Sequence, residues 1–278
     1  MNLHRSLVLS LVFLLLAQAD AQETEGPIYP LSIATRGDET FIADRKLPGI
    51  WIAKGSAFQE FYRASKQLRS PLNAVRCLAV DQEGNLLAGD SATRDVYRFV
   101  QGKPVPLAAG GVGIPMSIAV LKSGDILVAD LELHRIVRIS SEGGMPETFL
   151  EVQAPRGLFV DAEEQVWIVS HGKNQLLRIG ANKELETIVS GRAFQFPSAV
   201  VVNREGTAFV CDTYAKAVWK VAPGEAPVKW FEGEPLVSPV GLTWRGDEML
   251  VADPRAGGLV QIDADGKAKL TPYSDGRP

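Results

Sequence analysis

Short apolar runs separated by polar turns recur along most of the chain, and one phrase returns in almost the same form. An apolar run is followed by a polar turn and a second run that ends in a small residue and an aspartate. A short loop and a third run, alternating polar and apolar, complete it. The phrase endings are Phe41-Ile42-Ala43-Asp44, Leu87-Ala88-Gly89-Asp90, Leu127-Val128-Ala129-Asp130, Trp167-Ile168-Val169-Ser170, Phe209-Val210-Cys211-Asp212 and Leu250-Val251-Ala252-Asp253. The final positions, 44, 90, 130, 170, 212 and 253, set a period of about 40 residues, with the first interval the longest. Alternation with period two marks half-buried strands, and a repeat of this length with four short strands is a β-propeller blade.

The third unit shows the order of elements. Residues 117–120 form the predicted inner strand a, and Lys122-Ser123-Gly124-Asp125 is a turn rich in turn formers. Residues 126–129 are strand b, 135–139 strand c, and 148–150 a short outer strand d. Proline precedes strand a in five units, as Pro30, Pro115, Pro155, Pro197 and Pro239. It lacks a backbone donor, so it suits a position where the ladder has not yet begun. The second unit has Val75 there and carries Pro71 in a longer linker. The prediction is an all-β fold, a six-bladed β-propeller of four-stranded blades over residues 30–278. Each blade is one continuous segment, and the ring closes by packing of the first blade on the last.

The N-terminus reads differently. His4 and Arg5 precede an apolar run over 7–16 that only Ser10 interrupts, and small residues follow in Ala17-Gln18-Ala19-Asp20-Ala21. This is the pattern of an export signal, and residues 1–21 are expected to be removed after Ala21, leaving a lead-in over 22–29. The run is shorter than the ~20 residues that span a bilayer, and no later stretch is longer. The expectation is a secreted or periplasmic monomer with no transmembrane segment after signal removal. Export makes a disulfide the default for Cys77 and Cys211. The repeat register instead places them in blades 2 and 5, across the ring. Their Cα atoms would have to lie within about 7 Å to be bridged, so two buried free thiols are expected.

The phrases Leu127-Val128-Ala129-Asp130 and His134-Arg135-Ile136 resemble the core of NHL repeats, and the resemblance covers residues 30 to 274. It implies the propeller fold. It implies little about activity, because this scaffold hosts binding proteins, lactonases and lyases alike. The related senescence-marker/gluconolactonase propellers hold a divalent cation at the mouth of the ring, using a Pro-Asn-Gly type motif and further Asn, Asp and Glu ligands. In this sequence the residues after the proline register are Leu31, Arg76, Met116, Arg156, Ser198 and Val240. None is a carboxylate or Asn, and two are arginines that repel a cation. Glu25-Gly26-Pro27-Ile28-Tyr29 resembles the Glu-containing opening phrase of those enzymes, but one Glu does not supply the six or more oxygens that a hard cation takes. No metal and no cofactor are therefore expected.

The repeated strand-end aspartates are expected to cap the following turns rather than to react. His134 is read as a structural loop residue. His171 follows Ser170, the one break in the Asp series, on the face where the central strands begin. Ser170 and His171 are not a catalytic pair, because neighbours on extended chain point apart, and no nucleophile elbow, zinc motif or phosphate loop is present.

Charge separates the two faces. The loops after strand b carry Arg45 and Lys46, Arg94, Lys173, Lys216 and Arg255 against Glu132, and Arg76 and Arg156 join them at the mouth. The turns between strands a and b are mostly acidic, from Asp38 and Glu39 in the first unit to Asp247 and Glu248 in the last. The net charge of −4 argues against a nucleic-acid partner. The reading that follows is an exported binding module for a partner protein or an anionic small molecule or glycan. Its ligand-binding residues are expected to be Arg45, Arg76, Arg94, Arg156, His171, Lys173, Lys216 and Arg255. The alternative is a hydrolase, lactonase or lyase of the gluconolactonase-like group, and no catalytic residue is named for it.

Overall fold

Each repeat folds as one antiparallel four-stranded sheet, paired in chain order, in a computed structural model that describes residues 26–46, 49–65, 67–180 and 184–273. The predicted signal at 1–21, residues 22–25 of the lead-in and the last five residues lie outside the described residues. Blade 1 comprises β1 (Pro30–Arg36), β2 (Glu39–Asp44), β3 (Gly49–Lys54) and β4 (Ala57–Arg63). Blade 2 holds β5 (Val75–Val80), β6 (Leu86–Asp90), β7 (Asp95–Val100) and β8 (Lys103–Pro106). Blade 3 holds β9 (Pro115–Val120), β10 (Ile126–Asp130), β11 (Arg135–Ile139) and β12 (Glu147–Glu151). In blade 4 these are β13 (Pro155–Val160), β14 (Val166–Ser170), β15 (Leu176–Ile179) and β16 (Leu185–Val189). Blade 5 follows with β17 (Pro197–Val202), β18 (Ala208–Asp212), β19 (Ala217–Val221) and β20 (Val228–Glu232). Blade 6 ends the ring with β21 (Gly241–Arg245), β22 (Glu248–Ala252), β23 (Gly258–Ile262) and β24 (Ala268–Pro272). The chain is thus an all-β, six-bladed β-propeller.

Burial explains why the second strand of each repeat reads as continuous apolar sequence. Every residue of β6, β10, β14 and β18 is buried, since neighbouring blades cover both faces. The outer strands keep one open edge and carry Lys103, Glu147, Glu151, Lys229 and Glu232 there, charges that discourage edge-to-edge pairing. The core is a set of clusters between adjacent blades. One joins Ile33, Ile42, Trp51 and Phe58 of blade 1 to Leu250, Ala252 and Leu259 of blade 6. The ring therefore closes through side-chain contacts, and among the described residues no backbone ladder is shared across the seam. Gly26 of the lead-in lies so close to blade 6 that a Cβ there would overlap the Tyr273 carbonyl oxygen.

The prolines differ from expectation in a way that shapes the mouth. Pro30, Pro115, Pro155 and Pro197 are the first residues of their strands, opposite Asp44, Asp130, Ser170 and Asp212. The ladder then skips one residue. That bulge falls on Leu31, Met116, Arg156 and Ser198, and on Arg76 after Val75 in blade 2. Both cysteines are buried and free, Cys77 on β5 and Cys211 on β18. Burial pushes each thiol up to about 12.

Candidate functional site

Five buried carboxylates organise the face where the central strands begin. Asp44, Asp90, Asp130, Asp212 and Asp253 are fully buried. Each accepts backbone N–H groups from the loop before its blade and from the loop after its own strand. Asp90 accepts from Leu72 and Ala74 on one side and from Ala92 and Thr93 on the other. Asp253 accepts from Val237 and Ser238, then from Arg255 and Ala256. Ser170 does a smaller version of this task, donating from its Oγ to the Gln153 carbonyl at 2.6 Å and accepting the Gly172 N–H at 2.8 Å. These side chains are spent on loop geometry and do not face a ligand.

Within that frame the bulge residues Leu31, Met116 and Ser198 line one end of a central channel of about 320 Å³, and Arg76 and Arg156 occupy the same register on blades 2 and 4. Its walls come from the six inner strands, with apolar side chains interspersed with the hydroxyls of Ser32, Ser117, Ser198, Thr35 and Thr243. A bulge turns its extra residue out of the ladder, and two of the five are arginines from blades 2 and 4. Arg76 donates from Nε to the Ser91 hydroxyl at 3.0 Å. The Arg156 guanidinium lies over the Phe196 ring, and its buried Nε has no acceptor. Burial, with the neighbouring Arg76 charge adding to it, holds Arg156 below the usual arginine range. Among the described residues neither arginine has a carboxylate partner, because the nearby strand-end aspartates are filled with backbone donors.

His171 belongs to the same cluster. Its Nε2 lies 2.7 Å from the Pro197 carbonyl, which makes it the donor, and its ring meets Phe196 edge-on at 4.4 Å. Burial lowers its pKa, and the cations Arg156 and Arg192 add to that lowering. Tyr214, exposed at the rim, lies 4.7 Å from Phe196. The structure thus brings together three of the eight expected residues, Arg76, Arg156 and His171.

The other five stand on exposed loop positions. Arg94 is tied to Glu132 at 2.8 Å, and Arg45 lies over the Tyr29 ring at 5.9 Å. Lys173, Lys216 and Arg255 are single cations on blades 4, 5 and 6. His134 accepts the Ala154 N–H on Nδ1 at 3.0 Å, a loop-fixing role. Sequence reasoning missed Phe196, Tyr214 and Arg192. Their signal is the proline register itself, since Phe196 precedes Pro197 as Ala154 precedes Pro155, so both belong to the rim. Among the described residues no three His, Cys, Asp or Glu side chains gather in a way that would hold a metal ion.

Fold and site together define a six-bladed β-propeller with a cationic, aromatic-edged mouth. No protein-family model matches the chain, and no curated protein matches it. Solved structures do match in fold. Virginiamycin B lyase from Staphylococcus aureus aligns over 90% of this chain and 86% of its own, with 15% identity and a TM-score of 0.67. The Xanthomonas campestris gluconolactonase XC5397 aligns over 83% and 85%, with 13% identity and a TM-score of 0.69. A chain of the nidogen/laminin complex aligns over 85% and 90%, with 15% identity and a TM-score of 0.68. The likeness is one of fold, shared by a lyase, a gluconolactonase and a chain of the nidogen/laminin complex.

Proposed function

We propose that this chain is an exported binding module whose basic mouth takes an anionic ligand, either a carboxylate- or sulfate-bearing small molecule or glycan or an acidic segment of a partner protein. The observation that carries the reading is the pair Arg76 and Arg156, two half-buried guanidinium groups that repel each other and have no carboxylate partner among the described residues. An anion between them relieves that repulsion and supplies acceptors for planar donor forks that suit carboxylate or sulfate. His171 stays neutral and holds the Pro197 loop in place beneath Phe196. The apolar run and small-residue cleavage pattern over 1–21 support export. The hydrolase or lyase alternative rests on kinship of fold, which does not specify chemistry.

The experiment is titration with citrate and with a glucuronate oligomer at low and high salt, on the wild type and on Arg76→Ala/Arg156→Ala. Charge-assisted hydrogen bonds contribute about 1.5–3 kcal/mol each, so the double variant is expected to lose more than about tenfold in affinity while keeping its melting temperature. Unchanged affinity together with a lower melting temperature would make the two arginines purely structural.

A further inference from the structure

A second groove lies away from the mouth, between blades 5 and 6 on the opposite face. It has a volume of about 590 Å³, within the range of small-molecule sites. Phe209 of β18 forms its floor. Trp230 of β20 and Trp244 of β21 stand nearly perpendicular to that ring, at 5.0 Å and 73° and at 5.4 Å and 88°. Two of the chain's five tryptophans therefore flank one slot.

Its polar rim is of mixed sign and unspent. Asn203, Arg204 and Glu205 come from the turn between β17 and β18, Asp247 from the turn between β21 and β22, and Lys220 from β19. The side chains of Arg204, Glu205, Lys220 and Asp247 have no hydrogen-bonded or ion-paired partner among the described residues. Three arginines elsewhere on this face are paired: Arg245 with Glu248, Arg36 with Glu39, and Arg138 with Asp125. Asn203 uses Oδ1 for the Glu205 and Thr207 N–H groups, which leaves its Nδ2 hydrogens as donors.

We infer that this groove is a second binding site, specific for an uncharged sugar unit of a glycan. A neutral anion-free ligand fits because the rim holds both cations and carboxylates and so selects no sign of charge. The ligand must have an apolar face to lie on an indole and also groups that both donate and accept around its edge. A pyranose ring has both: axial C–H bonds for the Trp230 or Trp244 ring, and hydroxyls that donate to Glu205 and Asp247 and accept from Arg204, Lys220 and Asn203. An apolar peptide side chain would fill the slot but leave that rim unused. The inference is independent of the basic mouth and involves none of its residues.

The test is saturation-transfer NMR and calorimetric titration of the full chain with cellobiose, maltose and lactose as uncharged probes and glucuronate as an acidic comparator. At least one disaccharide is expected to bind, with affinity insensitive to salt and unchanged in Arg76→Ala/Arg156→Ala. Affinity should fall about tenfold in Trp230→Ala and about threefold in Lys220→Met. Trp230→Phe, which keeps a ring, should retain binding and serves if Trp230→Ala does not fold. No binding by any of the three disaccharides would overturn the site, as would binding that persists in Trp230→Ala and Lys220→Met or binding by glucuronate alone.

Discussion

The guanidinium carbon of Arg156 stands 5.4 Å from the centre of the Phe196 ring, although the two residues belong to adjacent blades. A cation held over a ring at a partly open site is stabilised by about 0.5–1 kcal/mol. Phe196→Leu keeps a large apolar side chain and removes the ring quadrupole. Its affinity for the glucuronate oligomer should drop about two- to fivefold, with circular dichroism and melting temperature close to wild type. Unchanged affinity would show that Phe196 shapes the rim without orienting Arg156.

His171 gives the mouth a pH dependence of definite sign. Its folded-state pKa lies below the ordinary 6.5, chiefly through burial, so the folded protein favours the neutral ring. The stability this provides is complete above the unfolded-state pKa and is lost as pH falls through the lowered folded value. The melting temperature of the wild type should fall between pH 7.5 and pH 5, and His171→Gln should flatten that part of the profile. A wild-type curve parallel to that of the variant would contradict the lowered pKa.

Asp90 collects five donors, four backbone N–H groups and the Thr93 hydroxyl. Asp90→Ala orphans them in a buried position, and a loss of about 3–5 kcal/mol in urea unfolding is expected. Arg94→Ala, which breaks only the exposed pair with Glu132, should change stability by less than about 1 kcal/mol. Equal effects from the two substitutions would refute the capping role.

Cys77 and Cys211 should be silent toward a thiol reagent at pH 8 in the native protein, since both thiols are buried and lie near 12. Unfolding without reductant should release two reactive thiols. Finding none would require a bridge that the ring geometry forbids.

Gly26→Ala places a methyl group against the Tyr273 backbone. Backbone cannot swing aside as a side-chain tip can, so the lead-in must lift from the seam. The melting temperature should fall by several degrees, in line with a loss of about 1–2 kcal/mol for a chain of this size. A wild-type melting temperature would show that the lead-in is not part of the seam.

What can be read in the sequence follows what the fold requires of every blade. The small-residue–Asp phrase recurs because each Asp must pin two loops, and Ser170 stands out because a hydroxyl does the same task with fewer bonds. The placement of Cys77 and Cys211 follows from that register. The partners of Arg156 do not. Periodicity says which residues are equivalent around the ring, whereas Arg156 and His171 of blade 4 meet Phe196 across the boundary with blade 5, and Phe196 meets Tyr214 between two non-equivalent loops of blade 5. The bulge after the proline register is hidden as well, since a skipped residue leaves the apolar alternation of the remaining strand intact. The pairing of Arg94 with Glu132 likewise depends on how two blades sit side by side, and it removes one of the cations that a count along the loops credits to the mouth.

The seam between blades 1 and 6 consists of side-chain contacts, with the Thr35 hydroxyl donating to the Trp244 carbonyl across it. No strand is exchanged there, and Gly26 already lies beside Tyr273. The covalent order of the blades is consequently a convention of the gene rather than a demand of the ring. Bridging residue 273 to residue 26 with a short flexible linker, and opening the chain in the loop before Pro115, would give a permuted protein that starts at blade 3 and ends at blade 2. The same six interfaces would form, with the cut relocated to a place where another pair of blades can hold it shut.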